Sequence, residues 1–185
     1  MIKYMGLLRL MFYALAMSVG VYTVTLVTTD KLRDLRAESM LNAPQFASVK
    51  DRERQLKCMA DNVYWEAGNE PAEGKIAVAQ VVMNRAASGQ FPDDVCKVIY
   101  QKNVFYERVV CQFSWYCESY HRTRHIHKET YDESMDAAKL VLMEGFRLSS
   151  VKDAMYYHAD YVNPQWNKTR VAKIGRHIFY KDKET

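Results

Sequence analysis

The sequence predicts an α+β domain carried behind one N-terminal transmembrane helix. Three observations lead there: an uncharged run of twenty residues from Leu10 to Thr29, apolar residues three and four apart through the first half of the remaining chain, and short alternating segments gathered in its second half. The pattern holds no βαβ unit and no internal repeat. The expected divisions are 1–29 for the membrane segment, 30–50 for a charged tether and 51–185 for the folded domain.

The run "LMFYALAMSVGVYTVTLVTT" comes first. At about 1.5 Å per residue, twenty residues just cross a bilayer core of about 30 Å. A cleavable leader would close a shorter apolar region with a small-x-small site, and Ala14-Leu15-Ala16 falls too early in the run for that. The expectation is an uncleaved signal-anchor at the inner membrane, with the domain in the periplasm. Ala, Ser, Gly and Thr fill eight of the twenty positions, which is compatible with later release from the membrane. Lys3 and Arg9 before the run balance Lys31, Arg33 and Arg36 after it, so flanking charge leaves orientation open. All 22 acidic residues, and all but Lys3 and Arg9 of the 26 basic ones, lie after the run. The remainder is therefore near neutral, which argues against nucleic acid as a partner. With 49% apolar residues, 7 Gly and 4 Pro, the chain does not read as disordered.

The first helix of the domain is "DRERQLKCMADNVYWEA", with Leu56, Met59, Ala60, Val63, Tyr64 and Ala67 on one face. Gly68 ends it, and Pro71 opens the next. That second helix, 71–88, turns Ile76, Ala79, Val82, Met83 and Ala86 inward, and Gly89 closes it. A short helix is expected from Asp93 or Asp94, then strands with a loop from Phe105 to Cys117. A helix from Glu129 to Phe146 points Tyr131, Met135, Ala138, Leu142 and Met143 inward. "AMYYHA" and "RVAKIGRHIFYK" alternate as strands, the second turning at Gly175.

The four cysteines are Cys58, Cys96, Cys111 and Cys117, with no C-x-x-C pair to suggest a zinc ribbon or redox site. Cys111 and Cys117 bracket "QFSWY", a spacing that a tight hairpin bridges, and Cys58 and Cys96 then pair by elimination. Two disulfides imply an oxidising compartment.

The stretch "NVYWEAGNEP" holds the candidate chemistry. Glu66 falls on the last turn of its helix, at the partially negative end, next to Tyr64 and Trp65. Burial and the helix end both favour its protonated form, which is what a general acid needs near neutral pH. A solvated helix-end glutamate is the competing reading. Glu70 and Glu73 are the nearby acids that a two-carboxylate glycosidase would draw on, but the Gly68–Pro71 break leaves that geometry open. The histidines His121, His125, His127, His158 and His177 include no H-E-x-x-H. Arg122, Arg124 and Lys128 crowd the first three, so a solvated basic loop is expected and no metal or other cofactor.

Several segments, in order, resemble the SleB-type cell wall hydrolases: "YWEAGNEPAEGKIAVAQVVMNR", "FPDDVCKVIY", "CQFSW", "YYHADYVNPQW" and "KIGRHIFY", together covering about 56–180. The resemblance implies a lysozyme-like α+β fold acting on the glycan strands of peptidoglycan. It implies that Glu66 is the single catalytic glutamate of a lytic transglycosylase. It also makes Gln112, Ser114, Trp115, His158, Trp166 and Tyr180 candidate substrate contacts, each with a packing role as the alternative. Asn69 after Gly68 departs from the common Ala-Arg-Gly-Glu pattern and leaves Glu70 as a substrate-binding candidate of uncertain role. The basic "HRTRHIH" segment is not a family feature and is expected to meet anionic peptide stems or envelope phosphates.

The function expected is therefore cleavage of MurNAc–GlcNAc bonds, for wall remodelling or phage lysis, without an obligate protein partner. The alternatives are a non-catalytic peptidoglycan-binding module and a zinc-dependent amidase.

Overall fold

A computed structural model describes residues 2–42, 46–118 and 124–183. The chain divides into two compact units, Met1–Leu41 and Asn42–Thr185. The first is one helix, α1 (Ile2–Asn42), of 41 residues. No helix among the described residues is long and apolar enough to cross a membrane. This contradicts the transmembrane helix expected from the sequence, and membrane association through that helix is not supported. Length is not what α1 lacks. Its middle carries Ser18, Thr23, Thr25, Thr28 and Thr29, whose hydroxyls bond back to carbonyls three or four residues earlier. Each hydroxyl lowers the gain from leaving water. The segment read as a tether continues this helix to Asn42, and residues 43–45 lie outside the described residues.

The second unit begins with α2 (Val49–Ala67), capped by Ser48, whose hydroxyl accepts from the backbone N–H of Asp51. α2 ends at Gly68, which keeps a right-handed conformation (φ −55°). Glycine is required there by proximity, since a Cβ would lie 2.5 Å from the Tyr64 carbonyl oxygen. Pro71, without an N–H to leave unpaired, precedes α3 (Ala72–Ala87). Next come α4 (Val95–Ile99), capped by the Asp94 side chain, and the hairpin β1 (Lys102–Phe105) and β2 (Arg108–Cys111). Its two-residue turn, Tyr106 and Glu107, has φ of 46° and 67°. Both residues are left-handed without the Asn or Gly that usually marks such a turn, so the hairpin is not legible as one in the sequence. After it, one helical turn, α5 (Ser114–Cys117), stands where a loop is expected. α6 (Lys128–Leu142) leads through a 3-10 turn (Ser149–Val151) to β3 (Tyr156–Ala159), β4 (Thr169–Ile174) and β5 (His177–Lys181). The last three form one antiparallel sheet in the order β3-β5-β4.

α3 is the centre of the unit. Its face with Ala79, Val82 and Met83 packs with Met59, Val63, Val98, Ala138, Val141 and Leu142. Its other face, with Ala77, Val78 and Val81, packs with Phe179 and Ile174 of the sheet. Spacing predicts only the first face, because a helix buried on two sides has apolar residues nearly all round and no clean stripe. Cys58–Cys96 ties α2 to α4, and Cys111–Cys117 ties the end of β2 to the end of α5.

Candidate functional site

α3 carries polar residues inside the core, and they grip the chain that leads into the sheet. The Gln80 amide donates to the carbonyls of Leu148 and Val151 and accepts from the Leu148 N–H at 2.7 Å. The Asn84 amide donates to Val151 and Ala154, and Arg85 Nε donates to the Met155 carbonyl at 2.8 Å. Such buried side-chain contacts to backbone are costly to lose, so they set the start of β3. They thereby place Tyr157, two residues on.

The Tyr157 hydroxyl donates to Glu66 Oε2 at 2.9 Å, joining β3 to the last turn of α2. Glu66 is half-buried, and its carboxyl is raised above the ordinary glutamate range. Burial is the main cause; the Tyr157 hydrogen bond and the positive charge of Arg85 pull it down, and the Glu118 carboxylate pushes it up. Burial, and next the Glu66 charge, hold the Tyr157 phenol well above its usual value, so it remains a donor. Arg85 is itself buried, its guanidinium 5.2 and 5.4 Å from the ring centres of Phe91 and Phe113. The site at Glu66 is thus an acid, a phenol and a guanidinium inside an apolar wall, with a second acid, Glu118, in electrostatic reach.

The other expected residues fall into three groups. Trp115 is buried: its indole N–H donates to Asn62 Oδ1 at 3.0 Å, and its ring lies 6.3 Å from that of Trp65, 22° off parallel. It fixes α5 on α2 beside Trp65. Gln112 and Ser114 flank the buried Phe113 on the segment between β2 and α5, Gln112 half-buried and Ser114 exposed.

His158, Trp166 and Tyr180 come together with one another, but on the other face of the sheet from Tyr157. Strand pairing sets Tyr157 opposite the buried Phe179, and Tyr156 opposite Tyr180. Successive residues of a strand point to opposite faces, so Tyr157 turns to α3 and His158 away from it. The His158 Nδ1 and Nε2 lie 2.8 Å from the Ala159 carbonyl and 2.9 Å from the Tyr180 hydroxyl, and Trp166 meets the His158 ring edge-on. The trio thus lies on the face of the sheet turned away from α3 and Tyr157.

Glu70 holds the fold at a turn. Its Oε2 accepts the Arg176 N–H at 2.8 Å and presses on Gly175 (φ 56°), where a Cβ would stand 1.9 Å from it. The turn carries His177, buried and with its ring 5.1 Å from Tyr157, edge-on. Glu70 thus supports Tyr157 from behind.

Tyr157, Arg85 and Glu118 carry no signal that sequence reasoning picks out. Alternation in "MYYHA" marks a strand but does not say which parity meets α3, and a lone arginine in an apolar helix leaves no periodic mark. His121 lies outside the described residues; His125 and His127 have ring centres 6.1 Å apart on the exposed segment before α6.

The chain is similar to known proteins in sequence and fold. The family described as Cell Wall Hydrolase matches residues 69–180, beginning three residues beyond Glu66. A spore cortex-lytic enzyme of Oceanobacillus iheyensis is 33% identical over 148 residues, covering 76% of this chain and 45% of the relative. One of Bacillus cereus is 32% identical over 143 residues, covering 76% and 48%. The chain therefore spans about half the length of these relatives. The crystal structure of the catalytic domain of the Bacillus cereus SleB protein superposes with a TM-score of 0.50 at 26% identity, covering 76% of this chain and 96% of that one.

Proposed function

The chain belongs to the cell wall hydrolase family, and from that membership we propose that it is a lytic transglycosylase that cleaves the MurNAc–GlcNAc bonds of peptidoglycan with Glu66 as its acid and base. The observation that carries this reading is the Glu66 carboxyl, favoured in its protonated form by burial while one oxygen is held by the Tyr157 hydroxyl. In the cycle, the Glu66 carboxylic acid gives its proton to the glycosidic oxygen as the C1–O bond breaks. The new carboxylate is steadied by the Tyr157 hydroxyl and the nearby Arg85 charge. It then takes the proton of the muramic C6 hydroxyl, whose oxygen closes on C1 as a 1,6-anhydro ring, and Glu66 ends protonated as it began. No second carboxylate takes part. Engagement of Glu70 by the Arg176 N–H supports that economy, because the nearest acid in sequence is occupied. The two disulfides support a setting outside a reducing cytosol.

Glu118 favours a second reading. A second carboxylate whose charge acts on Glu66 is the kind of group that direct hydrolysis would draw on as its base. Digestion of purified sacculi, followed by mass spectrometry, separates the two. Anhydro-muropeptides lost in Glu66→Gln support the transglycosylase, and reducing-end sugars lost also in Glu118→Gln support hydrolysis. Free stem peptides released in a chelator-sensitive way would instead mean a zinc amidase, and binding without products a non-catalytic module.

A further inference from the structure

At the same end of α2, Trp65 and Tyr64, about 100° and about 200° round the helix from Glu66, line a pocket of about 290 Å³. Its other walls are Gly68, Asn69 and Thr130, with Arg124, His125 and His127 from the segment before α6. The enclosure is a built one. The His127 N–H donates to the Tyr64 hydroxyl at 3.1 Å, which fastens that segment to α2, and the Tyr64 ring packs against Tyr131 of α6. Gly68 keeps the floor open, since a Cβ there would lie 3.2 Å from Thr130 Cγ2.

We propose that this pocket, through Arg124, His125, His127, Asn69 and the rings of Tyr64 and Trp65, receives a carboxylate on the peptide stem of the muramic acid bound at Glu66. The inference rests on the glycosidase reading above and adds the part of the substrate that the site selects. Size and charge argue for it together. A glycan strand runs on past any one site and needs an open groove, whereas this volume, at the low end for ligand pockets, closes around the end of a side branch. Sugar rings of the strand are uncharged, whereas the stem ends in carboxylates that an arginine fork binds by paired charge-assisted hydrogen bonds. The basic segment thereby gains a substrate to read.

The test uses the full chain and two substrates: glycan strands with their stems, and the same strands stripped of stems by an amidase. The wild-type protein is expected to favour the stem-bearing strands in kcat/KM by about tenfold or more, the worth of a charge-assisted contact. Arg124→Gln should bring that ratio towards one, with Arg124→Lys in between. A wild-type ratio near one, or a ratio that Arg124→Gln leaves intact, overturns the proposal. A binding measurement keeps its failure separate from that of the glycosidase reading. Glu66→Gln protein should bind MurNAc-tripeptide more tightly than MurNAc, even were no strand cleaved. Inorganic phosphate at matched ionic strength is the arm for a wall phosphate. Its binding at Arg124, together with equal cleavage of both strands, overturns the carboxylate assignment.

Discussion

Tyr157 and Glu66 form the contact on which the chemistry turns, and each makes a prediction. Burial raises the Glu66 carboxyl, so the folded chain holds a proton there that the unfolded chain gives up at lower pH. Stability from this group is present below the unfolded value, about 4.3, and is lost as pH rises through the raised folded value. Glu66→Gln should therefore raise the unfolding midpoint at neutral pH, with little change near pH 4, while activity on sacculi falls by about 10²-fold or more. Equal midpoints at neutral pH would mean that the buried charge carries no cost. The hydroxyl of Tyr157 lowers the same carboxyl. Tyr157→Phe should hence move the alkaline fall of kcat/KM to higher pH, because Glu66 keeps its proton longer. A profile that drops in height without moving would assign Tyr157 to substrate positioning alone. Of this pair only Glu66 is legible in the sequence, from its place at a helix end among aromatics.

The β4–β5 hairpin and the start of α3 meet through Glu70, and this makes the hairpin turn more than a connection. Gly175 has both a left-handed φ of 56° and a carboxylate oxygen where its Cβ would be. Gly175→Ala should cost about 2–4 kcal/mol in urea unfolding, the sum of a left-handed alanine and a displaced charge-assisted hydrogen bond. In a Glu70→Ala background the cost should shrink, as the two sites share one contact; full additivity would show that Glu70 does not restrain the turn. Gly175 reads as a turn in the sequence because glycine between alternating segments has that meaning locally. The acid it accommodates, some hundred residues earlier, leaves no local mark. The first hairpin shows the reverse case: Tyr106 and Glu107 take left-handed angles that their identities do not announce.

The domain is held by two covalent links of different reach. Cys58–Cys96 closes a separation of 38 residues and Cys111–Cys117 one of 6. On the chain-entropy account, replacing the first pair by serine should cost about 4 kcal/mol and the second about 2 kcal/mol. Urea midpoints that fall equally for both would show that loop length does not govern their effect. The longer link spans the core between α2 and α4, on which the Glu66 turn rests, so its loss should reduce activity along with stability.

Local rules are enough for α2, α3, α4 and α6, the late strands, the pairing of the cysteines and the placing of Glu66 at the end of α2. Each of these depends on residues close in sequence or on a count. Tertiary contact decides the rest. The run at the start is an exception, since its hydroxyls dilute it within the sequence itself, and no helix among the described residues is long and apolar enough to cross a membrane. Tyr157 rather than His158 reaches Glu66 because α3 packs on one face of the sheet, and a strand's alternation is the same whichever face is covered. Glu70 turns to the hairpin, and Arg85 enters the core, because partners distant in sequence satisfy them there. A polar group's burial depends on those partners, and only the packed chain brings them within hydrogen-bonding distance.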